Sequence, residues 1–416
     1  MIFQGIAGLI FFVAVAWVFS ENKRRADIRL IILGIASQFF LAVIILKIPV
    51  FKDIFLFLNN IVVVLDNATK AGTSFVFGYL GGAGLPFDEK SPGASYVVAF
   101  RAFPLVLVMS ALSALLFYWK VLPVVVKGFS FLLQKTFRIG GAEGLGVAAN
   151  IFMGMVESPL LIRPYIKNMT RSELFSIMTC GMATIAGTMM IIYASILSTI
   201  VPDALGHILT ASIISAPAAI VIAKIMIPET GPVTLSADIS PEDMPTGSMD
   251  AIVRGTLDGL KLLLNIIAMI IVLLAIVFII NSMLGIIPDI AGAPVTLERI
   301  LGIIMAPVMW LMGIPWNECA VSGSLMGIKT VLNEFIAYIN LSGIEKGVLS
   351  ERTIVILTYA LCGFANPGSL GIMIGGLGSM APERRDEIVS LGLRAILAGT
   401  IATCMTGAVV GIVLYF

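Results

Sequence analysis

Cys180-Gly181-Met182-Ala183-Thr184 is followed, 182 residues later, by Cys362-Gly363-Phe364-Ala365-Asn366. Both copies sit inside apolar runs long enough to be membrane helices. Gly187 follows the first, and Pro367, Gly368 and Gly371 follow the second. Glycine removes side-chain cover and proline removes a backbone donor, so both runs are expected to open. Two weakly similar halves, each with an interrupted helix, are the signature of a secondary transporter whose substrate site lies where the repeats meet. A five-residue match also fits close packing through small residues, so the residues around it must decide.

Composition sets the class. The 416 residues are 59% hydrophobic and 12% charged, with a mean hydropathy of +1.05, and apolar runs of membrane length recur. An all-α polytopic membrane protein follows, with the lipid bilayer as its first partner. A net charge of +1 gives no basic field for nucleic acid. Cys180, Cys319, Cys362 and Cys404 lie in apolar stretches without CxxC spacing, and read as small core residues rather than a disulfide or metal framework.

Eight full spans are expected, near 2–19, 30–46, 97–119, 173–200, 206–227, 253–285, 352–380 and 387–416. The first has no basic n-region and is followed by Lys23, Arg24, Arg25 and Arg29, so it stays uncleaved with its N-terminus outside. Both termini are then external, and Lys120, Lys127, Lys135, Arg138, Lys167, Arg171, Arg384 and Arg385 all fall inside. Residues 1–96 form a peripheral part and 97–227 a first repeat. Residues 228–250, rich in Pro, Ser, Thr and acid, form a cytoplasmic linker, and 251–416 a second repeat. Three spans separate the start of the third from the start of the sixth, so the repeats are inverted.

Two apolar stretches fall outside this count. Gly141 to Pro164 carries Asn150, Glu157 and Pro159 between basic flanks, which a segment that dips in and turns back keeps on one side. Leu301 to Asn340 behaves likewise, with a turn expected near Gly313 to Asn317 and carboxylates at Glu318 and Glu334. Both read as re-entrant hairpins, at about 141–168 and 300–340. Irregular backbone at that depth needs protein or a wet cavity to satisfy it, so the tips are expected to face a site.

An ionised side chain near the bilayer centre costs at least about 2.5–3.5 kcal/mol. Glu157, Glu318 and Glu334 therefore need partners such as Arg163 or Lys329, or a task. Glu318 reads either as structural or as the mirror of Glu157 at the other tip. A buried carboxylate makes strong hydrogen bonds to a hydroxyl- or amide-rich solute. With no basic cluster facing these glutamates, an anionic substrate is not expected.

At these residues the chain resembles the concentrative nucleoside transporters, sodium- or proton-coupled importers of nucleosides. The resemblance is carried by Gly72-Thr73-Ser74-Phe75 with Val76-Phe77-Gly78, Phe100-Arg101 with Pro104, Ala149-Asn150-Ile151-Phe152 through Glu157-Ser158-Pro159, Arg163-Pro164, Gly313 to Glu318, Asn333-Glu334-Phe335 and Cys362 to Asn366. It implies eight membrane helices, two re-entrant hairpins, three interfacial helices, a homotrimer in the inner (plasma) membrane, and an elevator-like movement of the hairpin-containing domain. It also implies a ribose held by Glu334, Asn366 and Ser369, with Asn333 and Phe364 close by. Gly154, Met155, Val156, Glu157 and Met189 would form the nucleobase end.

Many members carry Gly-Gln-Thr-Glu or Gly-Gln-Ser-Glu where this chain has Gly154-Met155-Val156-Glu157. A thioether and a branched alkyl cannot donate to a pyrimidine carbonyl, while they offer polarizable contact to a larger ring. A lean toward purine nucleosides, or tolerance of purine and pyrimidine alike, is expected. The resemblance further implies a sodium position built from Asn150 and Thr184 with the main-chain carbonyls of Met153, Thr184 and Ile185, and no other cofactor. One Na+ entering down about 100 mV supplies about 2.3 kcal/mol, roughly fiftyfold accumulation. The alternatives are a proton-coupled transporter using Glu157 or Glu334, a membrane enzyme, and a nucleoside receptor or passive channel. The enzyme lacks its Asp- or His-rich cluster, since His207 is the only histidine. The last two have no need of paired inverted breaks.

Overall fold

The computed structural model describes residues 2–88, 95–234, 245–290, 292 and 294–415. The described residues are helix and loop throughout, with no extended strand. Three helices open the chain: α1 (Ile2–Val18), α2 (Ile28–Lys47) and α3 (Pro49–Phe77). α2 starts where the Asp27 side chain accepts from the backbone of Arg29 at 2.9 Å, satisfying a donor that the first turn leaves over. Pro49 opens α3, where no backbone donor is required.

The first half follows as α4 (Val98–Arg101), α5 (Leu105–Tyr118), α6 (Val121–Phe137), α7 (Gly141–Asn150), α8 (Glu157–Leu160), α9 (Arg163–Ile166), α10 (Arg171–Ala183), α11 (Gly187–Leu197) and α12 (Ala204–Met226). The second comprises α13 (Ser248–Leu284), α14 (Leu297–Leu311), α15 (Trp316–Val331), α16 (Glu334–Ser342), α17 (Glu351–Leu361), α18 (Pro367–Met380) and α19 (Arg385–Val413). One order of elements occurs in both: a lead helix (α6, α14), a first arm (α7, α15), a break, a second arm opened by a glutamate (α8, α16), an interrupted span (α10 with α11, α17 with α18) and a long closing helix (α12, α19).

Each of the eight apolar stretches expected to span is helical. Among the described residues six segments are individually long and apolar enough to cross a bilayer: Ile28–Lys47, Val98–Tyr118, Arg171–Leu197, Ala204–Met226, Ser248–Leu284 and Pro382–Val413. In their most apolar windows 89% of α12 is buried inside the protein against 11% of α13. The core therefore lies around α10, α11, α12 and α19, and α13 turns most of its surface outward. The interrupted spans meet there. A Cβ on Gly363 would stand 2.9 Å from the Met182 carbonyl oxygen, so only glycine lets one break approach the other this closely.

Four expectations change. The first break motif stays helical through Ala183, whereas the second forms the break itself, from Cys362 to Asn366. Pro367 accounts for the difference: its ring disfavours helical backbone at Asn366 and clashes with the carbonyl four residues back. The second arm of the hairpin at 141–168 is two single turns, because Pro159 and Pro164 interrupt it. The bend of 119° between α14 and α15 lies at Met312 to Pro315, as expected, but Glu334 follows a separate break at Leu332–Asn333. Glu334, not Glu318, thus takes the place of Glu157 in the second half. α3 is a long helix where only an interfacial segment was expected within residues 1–96, and α6 had no place in the residue pattern beyond the three interfacial helices that the resemblance implied.

Of the linker at 228–250, residues 235–244 lie outside the described residues. The part before them is pinned to the protein. Glu229 accepts from Thr170 Oγ1 at 2.9 Å and Lys224 Nζ at 3.2 Å, and the Thr234 backbone donates to Glu173 at 2.8 Å.

Candidate functional site

Asn333 caps α16, its side chain accepting from the Ile336 backbone at 2.9 Å. Glu334 is therefore the first helical residue, where the positive end of the helix dipole favours a carboxylate. It is 4% exposed. Tyr193 Oη, from α11 in the first half, donates to Glu334 Oε1 at 2.6 Å. Asn366 Nδ2, from the break between α17 and α18, donates to Oε2 at 3.1 Å. Asn366 also caps α18, with Oδ1 accepting from the Ser369 backbone at 2.8 Å. One cap geometry thus fixes the amide, and the amide fixes the carboxylate. Each carboxylate oxygen keeps acceptor capacity, and Asn366 keeps one amide hydrogen.

These groups wall one end of a cavity of about 250 Å³, near the small end of ligand pockets, about 300–1,000 Å³. All ten residues expected from the sequence line it: Gly154, Met155, Val156, Glu157, Met189, Asn333, Glu334, Phe364, Asn366 and Ser369. The other end is built from the tip of the first hairpin and is apolar but for Glu157. A Cβ on Gly154 would fall 2.1 Å from Glu157 Oε2, so the turn and the carboxylate share space that only glycine leaves open. The tip is seated on the start of α11 by a hydrogen bond from the Gly187 backbone to the Phe152 carbonyl, 3.1 Å.

Sequence reading missed Tyr193 and Asn265, which also line the cavity. Tyr193 carried a usable signal, since a phenol inside a membrane helix needs a partner. Asn265 carried one too, as an amide within the apolar run of α13. The other carboxylate is structural: Glu318 Oε2 accepts from the backbone and hydroxyl of Ser350, at 3.2 and 3.1 Å, at the start of α17. Lys329 is not hydrogen-bonded to Glu334. Its Nζ donates to the Ala360 carbonyl and to Thr403 Oγ1.

Asn150 and Thr184 end α7 and α10, which pack together through Cys180 Sγ on the Val147 carbonyl at 3.8 Å. The Thr184 hydroxyl donates to Cys180 O at 2.9 Å, so its lone pairs are what it can offer a ligand. Asn150 is fully buried, and while Nδ2 donates to Gly146 O, its Oδ1 has no protein partner. A buried acceptor without a donor, beside the carboxyl end of a half-helix, suits a small hard cation. Met153 and Ile185 belong to the same junction, flanking the contact between Phe152 and Gly187.

Comparison with known proteins agrees with this architecture. Residues 207–411 match the model of the Na+ dependent nucleoside transporter C-terminus, 7–80 that of its N-terminus, and 99–200 the nucleoside recognition gate. The chain is 38% identical to the uncharacterized transporter YutK of Bacillus subtilis, over 98% of both chains. It is 34% identical to the nucleoside permease NupC of Helicobacter pylori, covering 98% of this chain and 96% of that one. The structure of CNTnw in an inward-facing substrate-bound state superposes with a TM-score of 0.90 at 32% identity, covering 100% of this chain and 98% of that one. These relatives are named as a transporter and a permease rather than as enzymes. This chain belongs to the concentrative nucleoside transporter family.

Proposed function

We propose that the protein imports nucleosides by cation symport, with sodium as the coupling ion. The observation that carries this reading is Glu334, held by Tyr193 from one half and Asn366 from the other at the wall of the cavity. A desolvated carboxylate and an amide at fixed spacing grip vicinal hydroxyls, with Ser369 adding a hydroxyl and Asn333 and Phe364 bordering the sugar. Met155, Val156 and Met189 then face the base, and with no amide or hydroxyl at 155 and 156 the lean is toward purines or broad tolerance. The partnerless Oδ1 of Asn150 supports a sodium position with Thr184, Met153 and Ile185. A bound Na+ would supply the positive charge that Asn150 Oδ1 lacks. Asn150 and Met153 lie a few residues before Gly154 to Glu157, so ordering one end of the tip orders the base pocket beside it.

The same reading takes the elevator-like movement from the family, in which solved relatives are described as inward-facing, outward-facing and intermediate. A homotrimer in the plasma membrane, both termini outside, belongs to it as well. The outward-turned α13 supports a surface covered by lipid or by neighbouring copies. The test is uptake of radiolabelled adenosine and uridine into proteoliposomes with and without an inward Na+ gradient at fixed pH. Sodium-stimulated uptake with adenosine at least equal to uridine is expected. Uptake driven only by a proton gradient moves coupling to Glu157 or Glu334, and no uptake of either nucleoside overturns the substrate class.

A further inference from the structure

Lys329 has no part in the reading above. It lies near the end of α15, with no exposed surface. Its Nζ donates to the Ala360 carbonyl and to Thr403 Oγ1, both at 2.8 Å. Both acceptors are neutral; the Glu334 carboxylate is near enough to attract the ammonium, but among the described residues no carboxylate is hydrogen-bonded to it. Burying an ammonium whose hydrogen bonds go only to neutral acceptors, with a carboxylate near but not bonded, is costly, and methionine would fill the same space without that cost. The charge itself therefore needs an explanation.

Ala360 supplies one. It belongs to the last turn of α17, which ends at Leu361. The final carbonyls of a helix lack intrahelical donors and carry the negative end of its dipole. The ammonium thus caps the half-helix leading into Cys362–Asn366, and Thr403 ties it to α19. In the first half, among the described residues, no ammonium is hydrogen-bonded to the corresponding half-helix end, that of α10. Asn150 Oδ1, Thr179 Oγ1 and Thr188 Oγ1 are buried there without partners. One half-helix end carries a cation on a tether, and the other is lined by acceptors.

We propose that Lys329 is a tethered cation, taking at the α17 break the part that an exchangeable ion takes at the α10 break. The second half then needs no ion of its own, and one exchangeable cation is coupled per nucleoside. The stoichiometry rests on the symport reading of the first half; the need for a positive charge at Ala360 does not. Lys329 touches no substrate. It is a positioning residue, acting through the break on Asn366 and so on Glu334.

The experiment measures nucleoside uptake into proteoliposomes by the wild type, Lys329→Met and Lys329→Ala, across Na+ concentration and with or without methylammonium. Lys329→Met removes both charge-assisted hydrogen bonds and is expected to raise KM at least about tenfold, with a smaller change in kcat. Lys329→Ala vacates the space. Its uptake is expected to recover with methylammonium, and without amine its Na+ dependence to steepen from a Hill slope of about one toward about two. For a variant too unstable to transport, melting in detergent decides: stabilisation by methylammonium beyond that of the wild type supports the proposal, and none overturns it. Wild-type KM and Na+ slope in both variants also overturn it. If wild-type uptake ignores Na+, the first-half reading fails, and KM together with amine rescue still judges Lys329.

Discussion

The phenol of Tyr193 and the carboxylate of Glu334 meet at 2.6 Å, and this contact joins the two halves of the chain at the candidate site. Tyr193 reaches it from the second piece of one interrupted span, while Asn366, at the other interruption, holds the remaining oxygen. A group fixed from both repeats reports their relative position. Any movement between them alters the geometry offered to a sugar.

Glu334→Gln keeps the shape but removes the charge, and leaves one acceptor oxygen where the carboxylate offers two to Tyr193 and Asn366. Hydrogen bonds to a charged group are worth about 1.5–3 kcal/mol each. Nucleoside KM is expected to rise by about a hundredfold or more, and the 2′-deoxy analogue to lose less than the parent. Uptake of adenosine and 2′-deoxyadenosine by the two proteins checks this, and unchanged uptake removes Glu334 from the site.

Tyr193→Phe deletes a single oxygen from a buried pair. The expected result is a KM raised by about tenfold to a hundredfold with normal expression and melting, since the ring keeps its packing on Phe335 and Tyr338. An unchanged KM would mean that Asn366 alone orients the carboxylate.

Restoring polarity at the hairpin tip, with Met155→Gln and Val156→Thr together, supplies the amide and hydroxyl that pyrimidine carbonyls and amines can use. The ratio of kcat/KM for uridine to that for adenosine is expected to rise by about tenfold to two-hundredfold, the equivalent of about 1–3 kcal/mol. Competition assays read the ratio directly; a ratio that stays put would assign base choice to other parts of the cavity.

Gly363→Ala places a methyl group 2.9 Å from the Met182 carbonyl and 2.8 Å from Thr403 Cγ2. Overpacking of this kind costs about 1–3 kcal/mol. A lower melting temperature in detergent is expected, with uptake reduced because the two breaks are pushed apart.

Outside the spans, Glu21 joins the end of α1 to α10 through Arg171 at 3.0 Å and to α19 through Arg394. The hydrogen bond from Arg171, outweighing partial desolvation, holds the Glu21 carboxyl below the ordinary carboxylate range. A carboxylate depressed in the folded state adds stability above its unfolded pKa, about 4.3, and loses it as pH falls through the lower folded value. Melting of the wild type is therefore expected to decline below about pH 4.3, and that of Glu21→Gln to decline less over the same interval.

Much of the architecture was legible in the sequence because membranes constrain composition so strongly. Long apolar runs, the repeated Cys-Gly motif and carboxylates at membrane depth gave the helices and the two interruptions, while the ten residues around the cavity came from what the family resemblance implied. What stayed hidden were features of registry. Proline's effect on Asn366 shifted one break relative to the other, and Glu318 looked like a second tip residue because its capping of Ser350 lies 32 positions away. A phenol at Tyr193 calls for a partner but does not name it, and only the fold brings it against Glu334.

By itself, then, the sequence determined the class, the paired halves and the identity of the polar groups, since insertion into lipid allows few uncompensated charges or open backbones. Only the tertiary structure decided which polar groups meet: that Glu334 belongs to Tyr193 and Asn366, and that Lys329 turns away to the end of α17. Hydrophobicity is a local property that each segment states for itself. Hydrogen-bond partnership depends on distances between segments far apart in the chain, and those distances exist only after the helices have packed.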